Sequence, residues 1–135
     1  MFLFLRVVSG LLVLAVLLQA TTMGLYLNGN DSMLSLHRTG AGLVGLISIL
    51  QVVAALLFYG KVRGKAARAV MITSVVTLIV IILQMSLGYA HNVAIHVPLG
   101  VALMAGLTRL GISVAALKPA PADEPAPAPQ PGRTA

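Results

Sequence analysis

Cysteine is absent from the sequence. That excludes disulfides, thiolate metal sites and covalent cofactor attachment through C-x-x-C-H. Acidic residues are nearly absent too. Of three in 135 residues, Asp123 and Glu124 fall in the last 18, which leaves Asp31 as the lone carboxylate of the rest. Charged residues make up 9% against 59% apolar, with a mean hydropathy of +0.99. Such a composition excludes an ordinary soluble domain and belongs to the membrane class. The net charge of +6 is no nucleic-acid signature. Its densest part is one short connection, and basic residues beside membrane spans report topology.

Four apolar segments reach the ~20 residues needed to cross a bilayer. They fall at about 3–27, 33–59, 67–90 and 93–117. The breaks are Leu27-Asn-Gly-Asn-Asp-Ser32, then Gly60-Lys-Val-Arg-Gly-Lys-Ala66, then Ala90-His-Asn92. Such short connections make sequential helices antiparallel neighbours, so the expected fold is all-α, an up-down-up-down four-helix transmembrane bundle. Lys61, Arg63, Lys65 and Arg68 surround the second connection, and Arg6, Arg109 and Lys118 share its side. The positive-inside rule puts that side, with both termini, in the cytoplasm; the expected location is the plasma (inner) membrane of a prokaryote.

Leu18-Gln-Ala20 has the form of a weak signal cleavage site. No charged region precedes the apolar run, however, and the segment resembles a later helix, so a retained span is expected. The last 18 residues, KPAPADEPAPAPQPGRTA, hold six of the seven prolines. Alternating proline and alanine cannot build a core, and a disordered cytoplasmic tail over 118–135 is expected.

The first and third segments end alike: Leu18-Gln-Ala-Thr-Thr-Met-Gly-Leu-Tyr26 and Leu83-Gln-Met-Ser-Leu-Gly-Tyr89. Each is followed by a segment that opens with histidine and then a small residue, His37-Arg-Thr-Gly40 and His96-Val-Pro-Leu-Gly100. The chain therefore reads as two hairpins of one pattern, related by a pseudo-two-fold axis along the membrane normal. At 1.5 Å per residue both histidines sit about 6 Å inside the outer end. In this bundle the second and fourth helices lie on a diagonal, so His37 and His96 can face each other across the core.

Ionisable residues inside a membrane are costly and usually face the bundle interior. The plainer reading is that each imidazole hydrogen-bonds a neighbouring helix. A lone zinc ion lacks ligands: the spans offer no cysteine or carboxylate, and His91, five residues from His96, would not share its helix face. Copper with Met33 or Met85 is conceivable chemically. Haem fits better, because its iron carries four ring nitrogens and asks the protein for only two axial ligands. Gly40 and Gly100, one turn beyond the histidines, offer clearance for a flat plate, though small residues also serve plain helix packing. Arg38 suits either a propionate or a lipid headgroup. Tyr26 and Tyr89 are ordinary interface residues or cofactor neighbours. Gln19 and Gln84 can hydrogen-bond across the bundle or orient a ligand, while Gln51 reads as interhelical glue. His91 is expected to be a solvated turn residue.

At Leu34-Ser-Leu-His37-Arg38 the chain resembles one four-helix half of a haem A synthase, over about residues 5–117. The resemblance implies a bundle in which His37 and His96 are axial haem ligands and Arg38 a propionate or structural partner. It also implies a glutamate before His-Arg, where this chain has Leu34. With that acid missing and one histidine pair instead of two, a b-type haem bundle is implied rather than a haem-modifying enzyme.

The resulting expectation is a small membrane cytochrome b binding one haem b non-covalently through His37 and His96. Two axial histidines leave no open iron site, which favours electron transfer over oxygen chemistry. One haem does not span a ~30 Å membrane, so exchange with a quinone or redox partner on the outer side is expected. The alternative is a non-catalytic subunit or assembly factor of a larger membrane complex, with the histidines as hydrogen-bonders.

Overall fold

The computed structural model describes residues 1–117; the segment 118–135, with the tail expected there, lies outside the described residues. Four helices follow one another: α1 (Phe2–Leu27), α2 (Ser32–Val62), α3 (Lys65–Tyr89) and α4 (Val93–Ala115). All four are long and apolar enough to cross a membrane. Large apolar side chains such as Leu3, Leu14, Leu46, Ile79 and Val101 remain exposed on their outward faces. Helices apolar on all sides are not a water-facing design, and the chain is an integral membrane protein.

Each helix packs on its two neighbours, α1 on α2, α2 on α3, α3 on α4 and α4 back on α1. The four thus form a closed square with α2 and α4 on one diagonal. The two ends differ. Arg6, Lys61, Arg63, Lys65, Arg68 and Arg109 lie toward one, here the basic end, and His37 and His96 toward the other, the histidine end.

Two turns close the histidine end, and they are built alike. After α1 the N–H of Gly29 bonds to Tyr26 O and that of Asn30 to Leu25 O. After α3 the N–H of His91 bonds to Gly88 O and that of Asn92 to Leu87 O. Both are Schellman closures, which need one residue in the left-handed region. Gly29 fills that place at φ +93° and His91 at φ +56°. The sequence repeat therefore continues through its turns, with Asn92 going on to cap α4 by accepting from Ile95 N–H at 3.3 Å.

At the basic end the expected seven-residue connection shrinks to two residues. α2 continues through Gly60 and Lys61 to Val62, and Arg63 at φ +45° ends it, with Gly64 leading into α3. Gly60 does not stop the helix, because a glycine ends one only where a left-handed residue is used, and here Arg63 takes that role. The Arg63 guanidinium sits 5.9 Å from the Tyr59 ring, a cation–π contact. Arg6 reaches across to the far end of α4, donating to Ala115 O at 3.0 Å and Leu117 O at 2.7 Å. A cation there satisfies carbonyls that the helix cannot and complements the negative end of its dipole.

The core is weighted toward the basic half and reaches no farther than Leu12, Val44, Ile81 and Leu103 among the described residues. Leu5, Leu12, Ala54, Ala55, Phe58, Ala67, Leu107 and Leu110 are buried in it, and Phe58 meets Phe2 edge-on at 5.1 Å. Lipid tails are as apolar as leucine, so close packing and polar contacts, not water exclusion, hold this half together. Gln51, fully buried on α2, is the polar centre. Its Nε2 donates to Ser74 Oγ on α3 at 3.3 Å, and its Oε1 lies 3.0 Å from Ser9 Oγ on α1. Ser74 Oγ donates to Val70 O at 2.8 Å, while the single Ser9 proton is shared between Gln51 and Leu5 O, the latter at 2.8 Å. Gln51 is thus interhelical glue, as expected. Ser9 and Ser74 stand in the same 65-residue register as Gln19 and Gln84, an extension of the repeat that the residue strings alone do not advertise.

Candidate functional site

Toward the histidine end no described residue is buried beyond Leu12 on α1, Val44 on α2, Ile81 on α3 and Leu103 on α4. Val44 and Leu103 each stand seven residues past a histidine, about 10 Å along the helix. Above this floor every described residue is at least partly exposed, and the histidine pair and its two glutamines stand there.

His37 and His96 do approach across the diagonal. Their ring centroids are 6.4 Å apart and their planes cross at 71°. Both are half-buried. His37 Nδ1 lies 3.0 Å from the backbone O of Gln19, and His96 Nδ1 lies 3.0 Å from the backbone O of Gln84. A carbonyl only accepts, so each Nδ1 carries the proton and each Nε2 keeps a lone pair. That is the tautomer a metal-ligating histidine needs, with the other ring nitrogen tied to a carbonyl. The helix preceding each histidine therefore orients it, and it does so twice in the same way. One difference marks the first hairpin: Thr22 Oγ1 donates to Gln19 O at 2.9 Å and sits 3.4 Å from His37 Nδ1. In the second hairpin Gly88 leaves room for the His96 ring, whose Cε1 would be 3.3 Å from a Cβ at that position.

The glycines are not simply open clearance. The Nε2 of Gln19 rests on Gly40 where a Cβ would stand, and Gln84 Nε2 lies 2.8 Å from the corresponding point on Gly100. Each glutamine thus fills its hairpin partner's glycine notch. Having no side chain, glycine is what lets a carboxamide lie against a neighbouring backbone. The two Oε1 atoms, both buried, have no hydrogen-bond partner. A buried orphan acceptor of this kind costs about 1–3 kcal/mol. Two of them at symmetric places mark a region whose polar surface is incompletely satisfied by the chain itself.

The remaining candidates stand outside this cluster. Arg38 is exposed, one residue and hence about 100° around α2 from His37. His91 is exposed in its turn, doing the work of Gly29. Among the described residues no three His, Cys, Asp or Glu side chains converge on a metal-sized site. Asp31, at the N-cap of α2, is exposed and caps nothing with its side chain. Leu34, where the resemblance implies an acid, is half-buried.

No family model, curated protein or solved structure matches the chain. The site is therefore read from its own atoms. Sequence reasoning named the two histidines, the two glutamines and the two glycines. It missed that the histidine acceptors are the glutamines' backbone carbonyls, that the carboxamides occupy the glycine notches, and that Thr22 joins one side. Gln and His are separated by 18 residues in the first hairpin and 12 in the second, so their spacing in the strings does not reveal that the two contacts match.

Proposed function

We propose that this chain is a small membrane haem protein, a b-type cytochrome that holds one haem b through His37 and His96 and passes single electrons near the histidine end. The observation that carries this is the imidazole pair. Histidines whose Nδ1 atoms are tied to carbonyls would each have Nε2 left to ligate a haem iron held between α2 and α4. The pair stands at 6.4 Å with both Nδ1 atoms protonated toward carbonyls. A site of two nitrogen donors with no third ligand suits a metal that brings its own ring, and not a bare ion.

A haem there would displace the Gln19 and Gln84 carboxamides from the Gly40 and Gly100 notches, and Arg38 would offer a guanidinium for a propionate. The haem would supply a one-electron couple; the chain supplies axial basicity through the Gln19 and Gln84 carbonyls. The absence of a carboxylate at Leu34 weighs against haem modification. Under the positive-inside rule the basic end and both termini face the cytoplasm, in a prokaryotic plasma membrane. The histidine end then exchanges electrons with a quinone or a redox partner outside.

A second reading has an observation of its own: each Nδ1 already has an interhelical partner, as a purely structural histidine would. On that reading the chain is a haem-free subunit or assembly factor. Visible spectra of the detergent-purified protein from haem-replete cells separate the two. Oxidised and reduced spectra of a six-coordinate haem, lost in both His37→Ala and His96→Ala and unchanged by carbon monoxide, are expected. A colourless preparation overturns the cytochrome reading, and loss of colour in only one variant overturns the paired ligation.

A further inference from the structure

The basic end carries a second candidate site, independent of the histidines. A cavity of about 200 Å³ opens between α3 and α4, walled by Ala66, Ala69 and Thr73 on one side and by Arg109 and Ser113 on the other. Val70, Leu110 and Leu117 make its apolar lining. Arg109 stands six residues before the end of α4, about 9 Å along the helix. The Arg109 side chain is exposed and long enough to lead from that depth toward the interface. Two arginines of this end have partners: Arg6 donates to the α4 carbonyls and Arg63 lies on Tyr59, whereas the side chain of Arg68, like that of Arg109, makes no hydrogen bond with the described residues. Arg109 makes no hydrogen bond or ion pair with the described residues, and its own backbone carbonyl is held by Ser113 Oγ at 2.9 Å. The only described acid, Asp31, lies at the opposite end.

We infer that this cavity is a binding site for the phosphate of an anionic membrane lipid. The guanidinium is a fork of donors matched to phosphate oxygens. Thr73 lines the same space, and its hydroxyl would add a donor. The alanines leave room: the volume equals about seven waters, enough for a phosphate and the start of its glycerol ester. Val70, Leu110 and Leu117 then meet the apolar part, and the open side lets acyl chains run along the α3–α4 groove. Basic pockets between membrane helices commonly hold lipid headgroups in this way. Such a lipid would also fasten α3 to α4 where the helices leave a gap.

Native mass spectrometry of the full chain in mild detergent, with added phosphatidylglycerol, tests this. One retained phosphatidylglycerol per chain is expected, with phosphatidylcholine retained about ten-fold less. Arg109→Gln should weaken retention by about ten-fold, Thr73→Val by less, and Arg68→Gln, the same charge change elsewhere on this end, by less than about two-fold. Retention should persist in Asp123→Asn/Glu124→Gln, and circular dichroism should show each variant helical. Equal losses in Arg109→Gln and Arg68→Gln would reduce the effect to general charge and overturn the site. Equal retention of phosphatidylcholine would overturn its selectivity. Displacement of the lipid by millimolar inorganic phosphate would make free phosphate the ligand and overturn the lipid assignment.

Discussion

Gly40→Ala probes the closest contact of the candidate site. In an open helix interior, replacing glycine by alanine gains about 0.5–1 kcal/mol. At Gly40 the new methyl falls on the Gln19 carboxamide, which must swing away. Swinging it costs about 0.5–1.5 kcal/mol in rotamer strain, because the loss involves a flexible side-chain end and not backbone. The two effects offset, so Gly40→Ala alone should change stability by less than about 1 kcal/mol. With Gln19→Ala the obstacle is gone, and the helix gain of about 0.5–1 kcal/mol should appear in full. The double-mutant cycle should therefore show a coupling of about 1 kcal/mol, within the range for residues in contact. Gly10, with nothing within 4 Å of an added Cβ, is the control: Gly10→Ala should stabilise equally in both backgrounds. Reversible unfolding in mixed micelles, followed by circular dichroism, measures all six proteins. Additivity of Gly40→Ala and Gln19→Ala within about 0.3 kcal/mol would refute the contact.

Two further outcomes follow from the same packing. Gln51→Leu keeps the buried volume but removes two interhelical bonds, at about 0.6 kcal/mol each in a membrane, so a loss near 1 kcal/mol is expected by the same unfolding assay. Ser9 and Ser74 keep their own-helix acceptors, Leu5 and Val70, which is why the loss stays small; a loss above about 3 kcal/mol would show that the serines are left unsatisfied. His91→Gly should gain about 1 kcal/mol by relieving the left-handed conformation, and should leave the visible spectrum of the purified protein unchanged. Loss of colour in that variant would place His91 in the site instead of the turn.

The hairpin repeat made much of the molecule legible. Length, hydropathy and the Gly-Asn and His-Asn breaks locate four helices, and only the basic turn was misplaced, because Gly60 looks like a stop and Arg63 does not. The equal depth of His37 and His96 follows from helical rise once the spans are known. Nothing in the strings placed Gln51 between Ser9 and Ser74, since one serine among many apolar residues carries no partner's address. Arg6 read as a topology signal, yet it also caps the end of α4, more than a hundred residues away in sequence.

By itself, then, the sequence determined what helical geometry and the bilayer dictate: the spans, their antiparallel order and the height of each polar residue. The tertiary structure alone decided how each helix is turned about its own axis. In water an apolar stripe would announce that rotation. In a membrane the outward face is as apolar as the inward one, so no stripe is written. The rotation is set instead by the few places where backbones approach or polar atoms meet: Gln19 on Gly40, Gln84 on Gly100, and two imidazoles held by carbonyls at 6.4 Å.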